Sequence, residues 1–509
     1  MLKTKRELGL FSTIMMGLSG AIGFEIFVLM DGAYFNILAP VQAGPSIILA
    51  LLIAGLINML TMFSYCELSA AMPEVGGEYT YIKTAYGGYI SFVSGSFRWL
   101  ASVFAAALAA VFLTRQLEYL CTLIFPGCQI LPSYQMLITA VVIVIFTLLE
   151  IRGLKKLGSI LVIAFLAIFA FFIIAGSSYG LPPSEILPKN LVEDLPRMLS
   201  ASVYVFSMFF GMRALVAHAS LVKKPERNVP RGIIISTLLI IPLYISLAYV
   251  AGGIVLPNEQ VARTFPEPFR FLHFAATVTM GRAGGVLIAI GGIVASSSAL
   301  STSITVQSSI SRGMSRDKYL PEMLLRLHSV FNTPYIAIII GSFFIIILST
   351  LSNISFLVYG TSLATLIVFA FVNLSLLKLR RDKPYMERPF KTPLYPLTPI
   401  LGFVMSIALL VFPIIIGETN ALDAVLSGIG LTTITMMIYY LRMVGRHRIQ
   451  IAVGGAGLGV GISLSLLALL GELGFMSPIF PFIPNHILLV ISLVSVVGGI
   501  LNVTVSSYN

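Results

Sequence analysis

Charge is scarce in this chain. Only 10% of its 509 residues are Asp, Glu, Lys or Arg, against about a quarter in soluble domains. With 57% hydrophobic residues, a water-soluble fold of this length would lack the polar surface to cover its cores. The lipid bilayer is the solvent that suits it. Cysteine is limited to Cys66, Cys121 and Cys128, too few for a disulfide scaffold. Cys121 and Cys128 are close enough in sequence to pair, but free membrane-embedded thiols are the expectation. No Cys/His cluster has metal-ligand spacing, so neither a metal centre nor a cofactor is expected. Long polar linkers are missing, which leaves no room for a soluble domain at either end.

What is present is a series of apolar runs, each about the 20 residues a membrane span needs. They fall at roughly 10–37, 46–72, 89–120, 134–151, 157–178, 198–222, 231–255, 283–311, 334–351, 354–378, 400–417, 423–443, 449–473 and 486–506, about fourteen in all. Met1 to Arg6 is basic, but the stretch behind it is full length with no small-residue cleavage site. It reads as a retained first span, not a signal peptide. The two longest connections, around 179–197 and 256–282, contain proline and are expected to hold short surface helices.

The net charge of +11 is spread over loops and does not point to nucleic acid. Alternate loops carry Lys3, Lys5 and Arg6; Lys83; Arg152, Lys155 and Lys156; Lys223, Lys224, Arg227 and Arg231; Arg312, Arg316, Lys318 and Arg326; Lys378, Arg380, Arg381, Lys383, Arg388 and Lys391; and Arg442, Arg446 and Arg448. The intervening loops hold only Lys189, Arg197, Arg263, Arg270 and Arg282. Under the positive-inside rule this alternation places both termini in the cytoplasm of a multi-pass cell-membrane protein. One missed span would have inverted every later loop.

In hydrocarbon every backbone polar group must be paired, so an interrupted helix is tolerated only beside a cavity. The first span carries Ser19-Gly20-Ala21-Ile22-Gly23-Phe24-Glu25 near its middle, and the sixth carries Phe206, Phe209, Phe210, Gly211 and Arg213. Glycines in membrane helices commonly serve close packing. Two interruptions five helices apart, each beside an ionisable residue, point instead to a binding site. Glu25 and Arg213 are expected either to form a structural ion pair or to face a ligand, since charges at bilayer depth face cavities or each other. Asp31, two turns beyond Glu25, is a candidate for an outer vestibule.

The same residues carry a family resemblance. Ile22-Gly23-Phe24-Glu25-Ile26-Phe27 resembles the first-helix signature of the amino acid–polyamine–organocation permeases. Glu67-Leu68, then Pro73-Glu74-Val75-Gly76-Gly77-Glu78-Tyr79, resembles the segment after their second helix, and is the most specific match. Lys224-Pro225-Glu226-Arg227-Asn228-Val229-Pro230-Arg231, Arg316-Asp317 to Pro321, and Arg388-Pro389-Phe390-Lys391 with Pro393 are similar to later family motifs, in order. The likeness covers about residues 8–445.

The resemblance implies an all-α polytopic membrane protein with a LeuT-like five-plus-five inverted repeat, its helices 1 and 6 discontinuous around the substrate. The expected divisions are a cytoplasmic N-terminus (1–9), a ten-helix core (10–380, repeats about 10–178 and 198–378), helices 11–12 (400–443) and two additional helices (449–506). The additional helices are expected to pack on the core or to make an oligomer contact. The family's activity is secondary transport of amino acids by alternating access, driven by a proton or sodium ion or by exchange. Half-helix ends supply free N–H groups for a carboxylate and free carbonyls for an ammonium.

This chain departs from the pattern. The family usually has glycine at the place of Glu25 and glutamate at that of Arg213, so the two positions look charge-swapped. Glu25 also suits a polyamine or other organic cation, the second substrate class. Coupling and gating candidates are Glu25, Arg213, Asp31, Ser297 and Ser298. A sodium ion would find oxygens near Gly20, Gly23, Ser298 and Ser301, and Glu25 is itself a candidate proton carrier. The helix-five lysine of some proton-driven relatives is Ile168 here. An intramembrane enzyme is disfavoured, because no nucleophile, base or metal set converges. A sensor that binds without carrying is the other rival; such relatives often have a long cytoplasmic tail, whereas Asn509 closely follows the last span.

Overall fold

The computed structural model describes residues 8–35, 43–73, 77–125, 132–153, 158–188, 190–217, 219, 222–265, 269–351, 354–415, 419–443, 457–461 and 496. The described residues are overwhelmingly helical, and the one β-contact printed among them is an isolated bridge between Leu8 and Val222. The expected spans at 449–473 and 486–506 lie outside the described residues except for 457–461 and 496.

The first expected span is two helices, α1 (Leu10–Ala21) and α2 (Glu25–Phe35). α3 (Ile47–Ala71), a short α4 (Glu78–Tyr86), α5 (Gly88–Ile124), α6 (Pro132–Arg152) and α7 (Gly158–Ala175) follow. The connection to the sixth span holds the short α8 (Pro183–Ile186). That span is also divided, into α9 (Leu191–Val205), a 3-10 turn at Phe206–Phe209 and α10 (Met212–Ala217). Next come α11 (Pro225–Val255), the short α12 (Glu259–Ala262), α13 (Leu272–Arg316), α14 (Tyr335–Leu351), α15 (Ile354–Asp382), α16 (Leu397–Ile415) and α17 (Thr419–Met443).

Seven of the described helical segments are long and apolar enough to cross a membrane unaided. The divided spans fall short because each half is only part of a crossing. On α6, Leu137, Val141, Val144, Ile145 and Leu148 are exposed. Their helical spacing makes an outward apolar stripe that only lipid would stabilise. Gly281, at φ 62° and ψ −159°, a conformation only glycine adopts without strain, divides α13 into a short first segment within the connection around 256–282 and a long helix that starts beside the expected 283. One expectation needs correction. Cys121 is disulfide-bonded, and Cys66 is free and buried.

The motifs that lie far apart in sequence meet at the face carrying the basic loops. Glu67 of α3 is fully buried. It accepts from Arg380 Nε at 2.8 Å and Nη2 at 2.6 Å, and from the Thr392 N–H at 2.7 Å, with Arg388 Nε at 3.3 Å. A buried carboxylate is stable only with such a complement of donors. Asp317, at the end of α13, takes the Tyr79 hydroxyl at 2.6 Å and Lys83 at 2.6 Å, which fastens α4 to that helix end.

Close backbone approach gives a test of the packing. A Cβ on Gly253 of α11 would lie 2.6–2.9 Å from backbone atoms of Gly180, whereas one on Gly313 of α13 meets nothing within 4 Å. Gly253→Ala is expected to destabilise by about 1–3 kcal/mol, and Gly313→Ala to stabilise by roughly 0.5–1 kcal/mol. Thermal unfolding of the purified protein in detergent measures both; equal shifts would contradict the packing.

Candidate functional site

Main-chain hydrogen bonding ends early in both divided spans. α1 stops where Ile22 (φ −75°, ψ 85°) leaves helical geometry, its N–H still bonded to Leu18 O at 2.7 Å. Gly23 N–H bonds Ala21 O at 2.9 Å, and α2 restarts at Glu25. An acid in a helix's first turn is favoured by the helix dipole. In the sixth span the 3-10 turn tightens the chain, and Phe210 O then accepts both the Arg213 N–H and Arg213 Nε, each at 3.2 Å.

The breaks share one cavity of about 120 Å³. That is less than the roughly 150 Å³ of a pocket that holds a benzene, which limits a ligand in this conformation to a small solute. Ile22, Gly23 and Glu25 line it from the first break, and Ser207, Met208, Phe210, Gly211 and Arg213 from the second. α5 adds Arg98, Ala101, Ser102, Ala105 and Leu108, while α13 presents Ala295, Ser298, Ala299, Thr302, Ser303 and Val306. The walls are thus aliphatic and hydroxylic, and the charged members are Glu25 from the first span, Arg98 from α5 and Arg213 from the sixth span.

Behind the two arginines sits one carboxylate. Glu78, at the start of α4, is 6% exposed. Its Oε1 contacts Arg98 Nε closely and lies 3.9 Å from Arg213 Nη1, while its Oε2 accepts from the Tyr65 hydroxyl at 2.7 Å. Arg98 also donates to Ser102 Oγ at 3.0 Å. Arg213 is 7% exposed, and its guanidinium lies 4.9 Å from the Phe210 ring centroid and 5.7 Å from that of Phe369. Both are cation–π distances. Arg213 Nη1 has no hydrogen-bond partner. The Tyr244 hydroxyl of α11 reaches Ala21 O at 2.6 Å and Met208 O at 3.1 Å, one phenol serving a carbonyl beside each break.

Glu25 and Arg213 therefore face one cavity without pairing to each other; the carboxylate partner of Arg213 is Glu78. Phe24, Phe206 and Phe209 are fully buried around the breaks, and of the aromatics only Phe210 lines the space. Ala21 contributes its carbonyl to Tyr244; Ser19 and Gly20 belong to the last turn of α1, and their side chains are outside the described residues. Asp31 is buried away from the cavity and accepts from the Phe271 N–H at 2.8 Å, at the start of α13. Of the hydroxyls considered for sodium, Ser298 lines the cavity, as Gly23 does, Ser297 does not, and Ser301 donates to Glu150 of α6. Sequence reasoning passed over Arg98, Glu78, Tyr65 and Tyr244. The available signal for Arg98 was its charge inside a span.

Comparison with known proteins fits this arrangement. The profile of a family described as amino acid permease matches residues 8–440. The methylthioribose transporter of Bacillus subtilis is 26% identical over 78% of this chain and 86% of its own length. The branched-chain amino acid permeases of B. subtilis and Lactococcus lactis are each 26% identical, over 80% and 72% of this chain and 88% and 81% of theirs.

The shared carboxylate sets a stability test. Glu78→Ala leaves the buried Arg213 and the part-buried Arg98 guanidiniums without their carboxylate and is expected to cost about 3–5 kcal/mol. Tyr65→Phe removes one hydrogen bond and is expected to cost about 1 kcal/mol. Detergent melting curves compare them, and a Glu78→Ala protein as stable as Tyr65→Phe would refute the shared role.

Proposed function

This chain belongs to the amino acid permease family, and we propose that it carries a small zwitterionic amino acid across the cell membrane by alternating access. The observation that carries the reading is the cavity itself, placed where two helices are broken and lined by charges of both signs. Within a membrane, interrupted helices that line a cavity are the binding elements of secondary transporters. The side-chain class follows from the walls. Ile22, Leu108, Met208, Phe210 and Val306 offer aliphatic and aromatic contact in a space of about 120 Å³, which suits a short branched side chain. Two relatives named as branched-chain amino acid permeases agree with that choice.

A polyamine fits less well. It would meet one carboxylate, Glu25, and two guanidiniums, Arg98 and Arg213. An uncharged sugar would leave Glu25 with no counter-charge, an expensive state for a group in the membrane. In this reading the basic loops and both termini face the cytoplasm, and transport is driven by a co-carried ion or by exchange.

Reconstitution into proteoliposomes tests the reading. Labelled leucine, valine, putrescine and methylthioribose are offered with proton and sodium gradients imposed separately. Leucine or valine is expected to accumulate or to exchange, and putrescine to do neither. Binding of amino acids without flux in any arm would make the protein a sensor, and accumulation of putrescine alone would overturn the substrate class.

A further inference from the structure

We propose that Glu25 fixes the polarity of the ligand, so that the cavity takes an amino acid with its ammonium at the break in the first span and its carboxylate at Arg98 and Arg213. The inference rests on the transport reading above and adds which end of the substrate goes where.

The start of a membrane half-helix attracts an anion, because its first N–H groups lack intrahelical partners and the helix dipole is positive there. At α2 that demand is met from within the chain. The Glu25 carboxylate folds back over the break that precedes it. Its Oε2 lies over Gly23, in the space where any Cβ at that position would collide with it. The place a ligand carboxylate would occupy on bare backbone is therefore taken by a tethered one. A second anion there would meet like charge at contact distance in a poorly screened site. Among the described residues no lysine, arginine or histidine lies within ion-pair distance of Glu25, and yet it lines the cavity.

The other end has the complementary surplus. Arg98 and Arg213 both line the cavity and share the single carboxylate of Glu78, half of which is already committed to the Tyr65 hydroxyl. Arg213 Nη1 is buried, has no hydrogen-bond partner and stands 3.9 Å from Glu78, too long for a hydrogen bond. A ligand carboxylate at Arg213 would supply the missing acceptor, and guanidinium forks match carboxylates well. One zwitterion spanning the cavity would satisfy both ends, whereas the opposite orientation would put like charges together at each.

The sign of one change in KM decides between the orientations. Leucine uptake is measured for the wild type, Glu25→Gly and Glu25→Gln. Competition is measured with isocaproate, which lacks the amino group, and isoamylamine, which lacks the carboxylate. Loss of a charge-assisted contact is expected to raise the leucine KM at least tenfold in both variants. Isocaproate, ineffective against the wild type, is expected to compete in Glu25→Gly. An unchanged or lower KM in Glu25→Gly would overturn the proposal, because a bare α2 start would then bind the carboxylate better. Glu25→Gln keeps the side-chain shape and covers a folding failure of the glycine variant. Absence of amino acid uptake by the wild type would count against the transport reading, not against the polarity.

Discussion

The site depends on one constraint: a main chain inside hydrocarbon cannot leave its N–H and C=O groups unpaired. Helix α1 ends at Ala21 and α2 begins at Glu25, and the sixth span passes through a 3-10 turn before α10. Each interruption needs substitutes for the lost intrahelical bonds. The chain supplies them with the Tyr244 hydroxyl on Ala21 O and Met208 O and the Arg213 side chain on Phe210 O. These substitutes are side chains, which can exchange partners, unlike the bonds of an unbroken helix. A small solute with its own donors and acceptors can therefore compete for them.

The charges obey a related balance. Arg98 and Arg213 set two positive charges beside the Glu78 carboxylate, while Glu25 lines the same cavity and pairs with neither. Buried ion pairs are costly to desolvate, and replacing them with apolar groups is often no loss to stability. In the proposed reading these charges serve a ligand, not stability. By contrast, the Glu67 cluster is saturated with donors from Arg380, Arg388 and Thr392. The two clusters show the same chemistry used for different ends, one closed on itself and one left with an open valence.

The spans were legible because hydropathy over 20 residues is a strong signal, and the loop charges checked its parity. The breaks at Gly23 and Gly211 could be read because an ionisable residue in a glycine-containing mid-span has few other uses. The partner of Arg213 was not legible. Glu78 reaches it only because α4 follows Gly77, at φ 51°, and tucks under the spans, held by Asp317. Hydropathy cannot place such a short helix, and the motif was visible only as a loop. Tyr244 was hidden for another reason: a phenol within an apolar helix looks like packing until its hydroxyl is seen between two carbonyls.

That phenol has a mechanical consequence. Tyr244 has a single proton, shared between Ala21 of the first span and Met208 of the sixth. Neither half-helix can swing away from α11 without changing what the other carbonyl receives. The two interruptions are thereby linked through a single donor, a coupling of about 1 kcal/mol. If the half-helices of the two spans move, one hydrogen atom would bias them to move together.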